Sequence, residues 1–278
     1  MCCIPDDWWK SEAEGGFFGP NYQKGDHSHQ GPYGRHPMTL EQRTEREVLS
    51  VIKTLGLSPG HRLIDVPCGY GRHAIRLAEH GIKVTGVDLN DYFLEVAREN
   101  MKARAIDTAL LEFKKGDMRD LAGCIPDSTA DAVINMFTSF GFFKEEDDNK
   151  RVLSDAYRML KNGGKLLIHF DYNYHRIISG RINVDQPCLR DLADNYKLGI
   201  VESYNVDAKR INGYWWIGDG PESENFQRYY SLRVYSPEEI TEMLTACGFI
   251  RTQVFGDFDF PERGLNFADQ EMVVLAEK

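Results

Sequence analysis

Between Arg62 and Asp171 the chain alternates short apolar runs with longer amphipathic ones. Arg62-Leu63-Ile64-Asp65-Val66 is a brief apolar run stopped by Pro67 and Gly69, which predicts a buried strand. A helix is expected from Arg72 to His80, ended by Gly81. Strand Lys83–Asp88, helix Asp91–Arg104 and strand Leu111–Lys115 follow, then strand Ala130–Asn135, helix Glu146–Leu160 and strand Lys165–Asp171. Strands separated by helices pair in parallel through crossovers, and right-handed crossovers build a doubly wound α/β sheet.

The flanks complete this frame. Residues 1–38 are rich in glycine, proline and aromatics without a clear period. Thr39 opens a helix with Gln42 as its capping-box partner, Val48, Val51, Ile52 and Leu55 form its apolar face, and Gly56 ends it. After Asp171 the rhythm breaks. Ile200–Arg210 and Tyr214–Ile217 flank Asn212-Gly213, a strong hairpin signal, and Phe226–Tyr235 adds a third extended run, so a small antiparallel sheet is expected. Ser236-Pro237-Glu238-Glu239 restarts a helix with cap, first-turn proline and capping box in order. Phe249–Phe255 and Glu271–Ala276 make the last two strands, an antiparallel closing pair, for seven in the main sheet. The organisation read from this is an N-terminal cap and lead-in helix (1–58), a cofactor-binding core (59–171), a β-rich insertion (172–235) and completion of the core sheet (236–278). Residues 1–38 and 172–235 are expected to act as a lid.

Composition narrows the partners. The 278 residues are 42% hydrophobic, enough for one sizeable core with an appended cap. The formal net charge is −10, and so acidic a surface repels phosphate backbones and anionic membranes, so neither nucleic acid nor a membrane is an expected partner. No run is apolar for long enough to span a bilayer. Met1–Lys10 lacks the order of a signal peptide. Cys2, Cys3, Cys68, Cys124, Cys188 and Cys247 match no zinc-ligand spacing and read as reduced thiols of a cytoplasmic protein. His27, His29 and His36 lie in loop-like sequence without a companion carboxylate pattern, so no metal site is expected.

The chemistry concentrates in Asp65-Val66-Pro67-Cys68-Gly69-Tyr70-Gly71-Arg72-His73, which leaves a strand and enters a helix. Gly69 and Gly71 let a ligand approach the backbone, and the helix start behind them offers unpaired N–H groups. The next strand ends in Gly86-Val87-Asp88, where an acid can accept from both hydroxyls of a ribose. Gly69-Tyr70-Gly71-Arg72-His73-Ala74 also fits a dinucleotide-binding loop, which keeps an NAD(P)-linked oxidoreductase open. Asp65 counts against it, because a carboxylate at the strand end repels a pyrophosphate and suits a cationic ligand. The closing hairpin also leaves no second mononucleotide-binding half.

The run Asp65 to Asp88 resembles the first motifs of the class I S-adenosylmethionine-dependent methyltransferases, in their small-molecule branch. Gly116-Asp117-Met118 is similar to the family's stretch after the third strand, Asp131-Ala132-Val133-Ile134-Asn135-Met136-Phe137 to its fourth motif, and Leu160-Lys161-Asn162-Gly163-Gly164-Lys165-Leu166 to the turn before its fifth strand. The likeness covers about residues 45–171 and 236–278. It departs at Pro67, where the family's pattern puts glycine, which bears on the backbone groups that touch the methionine end. The resemblance implies a Rossmann-like α/β fold, S-adenosyl-L-methionine as cofactor, and methyl transfer to nitrogen or oxygen of a small molecule. It places Asp65, Pro67 and Gly69 by the methionine end, Gly71 beneath the cofactor, and Asp88 on the ribose with Leu89 against it or the adenine. Asp117 and Met118 fall at the adenine, and Asn135 and Phe137 near the transferable methyl. A cofactor-binding module without turnover shares these features.

Around this frame, Phe137, Tyr22, Tyr172 and Trp215 are candidate acceptor-binding residues. His169, near the end of the fifth strand with Asp171 on the same side, is a candidate general base. Its other reading is a buried neutral histidine bonded to backbone. Tyr70 and Arg72 read as surface residues. Asp147-Asp148 reads as a charged helix start, and Trp215-Trp216 as alternating strand residues, one facing the core and one the other side. Neither the Asn/Asp-Pro-Pro-aromatic signature nor a paired-glutamate loop is present, which favours a small metabolite acceptor. A homodimer is left open.

Overall fold

Strand β1 (Arg62–Asp65) lies between two parallel neighbours, β2 (Lys83–Asp88) and β4 (Ala130–Asn135). The structure, a computed structural model, describes residues 4–26, 38–180, 188–192, 196–219, 226–258 and 264–278; Cys2, Cys3, His27, His29 and His36 lie outside them. On one side β3 (Leu111–Lys115) extends the sheet past β2, and on the other β5 (Leu160–Phe170) extends it past β4. Beyond β5 the edge is closed by β11 (Met272–Glu277), antiparallel to β5, and then β10 (Arg251–Phe255), antiparallel to β11. The order β10-β11-β5-β4-β1-β2-β3 is the expected doubly wound, mostly parallel sheet of seven strands. The chain leaves β1 towards β2 and β3, and later returns on the far side with β4. The chain thus runs from β1 to one side and from β4 to the other, which makes their carboxyl ends a topological switch, where such sheets bind ligands.

The connecting helices are α3 (Arg72–Glu79), α4 (Asp91–Ala103) and α5 (Glu146–Met159), with α7 (Pro237–Ala246) before β10. Their starts are written in the sequence. The Ser236 hydroxyl accepts from the Glu239 N–H at 3.1 Å while the Glu239 carboxylate accepts from the Ser236 N–H at 3.0 Å. Thr39 and Gln42 make the same reciprocal pair at the head of α2 (Leu40–Leu55). Strand β5 starts at Leu160, ahead of the expected Lys165, because Leu160 pairs with Ala130 before the register shifts. The sheet is buried on both faces: Leu63, Ala132, Ile134, Leu167 and Val273 on one, with Leu77 and Leu94 of the covering helices, and Ile64, Val133, Leu166, Ile168 and Val274 on the other.

The chain divides into two compact units. One holds Thr44–Gly141, Glu145–His175 and Tyr235–Lys278, and carries the seven-stranded sheet. The other holds Met1–Arg43, Phe142–Lys144 and Arg176–Val234. In this second unit β6 (Cys188–Asp191), β7 (Lys197–Asn205), β8 (Arg210–Gly218) and β9 (Phe226–Arg233) form an antiparallel sheet in that order. The N-terminal residues belong to the same body. Trp8 and Phe17 are buried against Tyr230, Phe17 also meets Trp215, and the Arg228 guanidinium donates to the Gly16 carbonyl at 2.9 Å.

The hairpin between β7 and β8 does not turn at Asn212-Gly213. Its turn is Val206–Lys209, closed by the Asn205 side chain accepting from the Ala208 N–H, with Lys209 in the left-handed region. Gly213 instead sits opposite Tyr230, whose ring lies over it so closely that a Cβ would come within 1.9 Å of the ring. Glycine is there to admit an aromatic cross-strand neighbour. Trp215 and Trp216 alternate along β8 and both are buried, Trp215 against Phe17 and Tyr22 and Trp216 over Gly199 on β7. In denaturant unfolding we expect Gly213→Ala to lose about 1–3 kcal/mol through overpacking and Lys209→Gly to stay within about 0.5 kcal/mol of the parent. A turn at Asn212-Gly213 requires the reverse ranking.

Candidate functional site

The loop that leaves β1 is woven into the sheet before it becomes helix. Val66 N–H donates to the Ile134 carbonyl at 3.0 Å and Cys68 N–H to the Val87 carbonyl at 2.9 Å, so the chain stays bonded to both neighbouring strands past the end of β1. The Val66–Pro67 peptide is cis. Gly69 and Gly71 both have positive φ, at 53° and 82°. At Gly71 a Cβ would press within 2.8 Å of Phe113 and 3.0 Å of Ala97, so the turn sits flush on β3 and α4. At Gly69 a Cβ would meet nothing within 4 Å, and the loop is open on that side.

Two carboxylates flank the loop. Asp88, at the end of β2, accepts from Gly69 N–H at 2.8 Å with one oxygen and from Asn90 N–H at 2.9 Å with the other. Burial pushes its pKa up to about 6, against the pull of those backbone donors. Asp65 is 1% exposed; neither of its oxygens meets a donor in good hydrogen-bond geometry, and the Ala74 backbone N–H acts on it only weakly. Burial pushes its pKa up to about 8, with the Arg72 charge pulling it down and the Asp88 charge pushing it further up. A buried carboxylate so poorly partnered is a strong acceptor for a cation or for N–H donors. Leu89, beside Asp88, is a large apolar side chain left 38% exposed at the same edge.

Around the switch, Asn135 donates its amide to the Val66 carbonyl at 2.9 Å and leaves its own carbonyl oxygen unpartnered and buried. Met118 is buried beside it, its sulfur 4.0 Å from that amide. Asp117 is half-buried and gripped by Arg119, whose Nη2 lies 2.6 Å from Oδ2 and whose backbone N–H reaches Oδ1 at 2.9 Å; this holds the carboxyl below its usual range despite partial burial. Arg119 also reaches Asp148 at 3.0 Å, so the acid at the start of α5 does more than face the helix dipole. Sequence reasoning missed Arg119, although its place two residues after Asp117 was a usable signal.

The largest surprise is a buried polar network. Arg72 and Tyr70 are not surface residues: Tyr70 is 7% exposed, and Arg72 pairs with Glu47 at 2.7 Å and Thr44 at 2.9 Å while lying over the Phe137 ring at 4.6 Å. His73 meets the same Glu47 oxygen at 2.8 Å, and burial with the adjacent Arg72 charge lowers its pKa to about 4. His169 is fully buried. Its Nδ1 accepts the Phe137 N–H at 3.3 Å, and its Nε2 lies 3.3 Å from Glu271, off hydrogen-bond geometry. Arg46 spans both Glu271 oxygens at 3.3 Å. Ligand atoms of Glu47, His169 and Glu271 lie within 4.8 Å of one another, as a metal ion would require. Arg72 and Arg46 already neutralise the two carboxylates.

The candidate acceptor residues are divided between the two units. Phe137 lies two residues past the end of β4. Tyr172 is buried against Phe170 in the unit of the large sheet. Tyr22 and Trp215 stack at 5.5 Å inside the other unit, as part of its own core.

Residues 63–164 match the family described as Methyltransferase domain. The chain is 33% identical over 240 residues to the glycine/sarcosine N-methyltransferase of Parasynechococcus marenigrum, covering 82% of this chain and 78% of that protein. Two solved structures share its fold. One is an S-adenosylmethionine-dependent methyltransferase from Clostridium acetobutylicum (TM-score 0.72, 15% identity, covering 93% and 99% of the two chains). The other is the S-adenosylmethionine-bound amino pentose methyltransferase CalS10 from Micromonospora echinaspora (TM-score 0.64, 17% identity, covering 94% and 98%). No helix among the described residues is long and apolar enough to cross a membrane.

Asp65 makes the site sensitive to pH. Its pKa is raised from 3.8 to about 8 in the fold, so folding favours its protonated form, and its contribution to stability falls as pH rises from 3.8 through about 8. A cationic ligand held at Asp65 would need the carboxylate, so its binding at pH 7 would expel a proton. We expect the affinity for S-adenosylhomocysteine, which keeps the methionine ammonium, to rise towards pH 8 and level above it. Calorimetry in buffers of different ionisation enthalpy should show proton release at pH 7 that disappears in Asp65→Asn. Binding without proton release would contradict this.

Proposed function

We propose that this chain, which belongs to the class I S-adenosylmethionine-dependent methyltransferases, methylates the nitrogen of a small amine. It is an enzyme whose cofactor is S-adenosylmethionine, and the observation that carries the assignment of its site is the buried, poorly partnered Asp65 beside the open glycine loop. The residues fit that cofactor. Asp65 would take the methionine ammonium, with the backbone of Pro67 and Gly69 alongside. Asp88 would accept from the ribose hydroxyls with the lone pairs its backbone donors leave free. Leu89 and Met118 would line the adenine, and Asp117, steadied by Arg119, would accept from its amine. The unused carbonyl oxygen of Asn135 would face the methyl end with Phe137.

When bound, the cofactor supplies an electrophilic methyl group on a positively charged sulfur. The protein's part is to hold donor and acceptor in line and to exclude water. Nitrogen is favoured over oxygen because a neutral amine attacks without first losing a proton, whereas a hydroxyl needs a base. The two histidines of the buried network are poor bases. His73 is held on Glu47, and the accepting nitrogen of His169 is already used by the Phe137 amide. The names of the glycine/sarcosine N-methyltransferase and of the amino pentose methyltransferase agree with an amine acceptor.

The test is turnover of an amine and hydroxyl panel with methyl-labelled cofactor. We expect label on nitrogen and, at saturating cofactor, a rise of kcat/KM for the acceptor with pH whose midpoint follows the pKa of each amine. Turnover of hydroxyls alone, or one midpoint common to all amines, would overturn the reading. Asp88→Ala should weaken S-adenosylhomocysteine about tenfold or more, from charged hydrogen bonds worth about 1.5–3 kcal/mol each. Unchanged affinity would remove Asp88 from the ribose.

A further inference from the structure

We propose that His169 is a positioning residue for methyl transfer: it holds the Phe137-Thr138 turn at the methyl end of the site and takes no proton from the acceptor. This rests on the reading that Phe137 lies beside the transferable methyl. The turn is unusual in itself. Phe137 and Thr138 both sit in the left-handed region, at φ 63° and 59°, and neither is glycine. Two consecutive residues of that kind store strain, and a strained turn persists only where its surroundings over-determine it.

The end of β5 does so. Phe137 N–H donates to His169 Nδ1 at 3.3 Å, Thr138 N–H to the His169 carbonyl at 2.8 Å, and Asp171 N–H to the Thr138 hydroxyl at 2.7 Å. Arg72 lies over the Phe137 ring, tying the same turn to the first residue after the glycine loop. A ring nitrogen that accepts an amide proton carries none of its own, so the neutral imidazole of His169 has its proton on Nε2, facing Glu271. Arg46 fixes Glu271 from behind. The single lone pair that a base would need is therefore spent on the Phe137 amide, and the ring is fully buried. Glu47, on the other flank, holds Arg72 and His73.

Three substitutions separate the roles. In His169→Asn the side-chain oxygen falls where Nδ1 was and can still accept the Phe137 amide. In His169→Gln the amide falls nearer the position of Nε2, and His169→Leu offers neither. Cofactor affinity by calorimetry reports folding of the site, amide hydrogen exchange at Phe137 reports the turn, and kcat with an amine acceptor reports its use. We expect all three variants to bind S-adenosylhomocysteine within about threefold of the parent. His169→Leu and His169→Gln should expose the Phe137 amide to exchange and lower kcat about 100-fold, the scale of a roughly 1 Å misplacement. His169→Asn should keep both the protection and kcat within about fivefold, with the pH profile unmoved. If His169→Asn keeps the amide protected yet falls as far as His169→Leu and loses the acidic limb of its profile, His169 is a base and the proposal is wrong. Unchanged exchange at Phe137 in His169→Leu also overturns it. Should no amine be turned over by the parent, the acceptor assignment fails, and the exchange measurement still decides the hold.

Discussion

Asp88 joins three things that the site needs in one place. One oxygen accepts the Gly69 amide and the other the Asn90 amide, so a single side chain ties the glycine loop after β1 to the start of α4. The hydrogen bonds past the strand ends, from Val66 to β4 and Cys68 to β2, fix the same loop from both sides. The loop then turns flush against Phe113 at Gly71 and begins α3, leaving Gly69 facing open space. Asp65 is placed by the sheet itself, but an unanchored loop would place neither Gly69 nor the first turn of α3.

Burial explains why the two flanking acids differ. Both lie in the same low-dielectric corner, and burial raises both. Asp88 is offset by three backbone donors and settles near 6, while Asp65 lacks comparable hydrogen bonds and is carried to about 8. An acid held in so unfavourable a state costs stability in the free chain, and a cationic ligand relieves it. The neighbouring network is the opposite case. Arg46, Glu47, Arg72 and Glu271 bring two charges of each sign together, and His73 stays neutral. Removing one partner of such a buried pair typically loses about 3–5 kcal/mol, so it is a rigid frame rather than a vacant site.

The sheet was legible because its signals are local. The apolar runs of β2, β3 and β4 carry their bounds in the sequence, and Ser236 and Thr39 announce their helices through residues three places on. Asn212-Gly213 misled for a physical reason: glycine serves a turn and an overlying aromatic ring equally well, and Tyr230, the residue that decides between them, lies on the next strand. The buried network was illegible for the same reason at longer range. Arg46 and Glu271 are 225 residues apart, and nothing near Arg72 marks it as the partner of Glu47. Asp65 and Asp88 could be picked out because they stand at strand ends beside glycines. The state of Asp65 could not, since it depends on how completely the fold removes water and donors from around it.

That state is the centre of the account, and a carboxyl carbon-13 titration of Asp65 by NMR, with and without S-adenosylhomocysteine, measures it most directly. Asp65 should titrate near 8 in the free chain and move back towards the ordinary 3.8 when the ligand binds. A free-chain titration already near 3.8, or one that the ligand leaves in place, would contradict it.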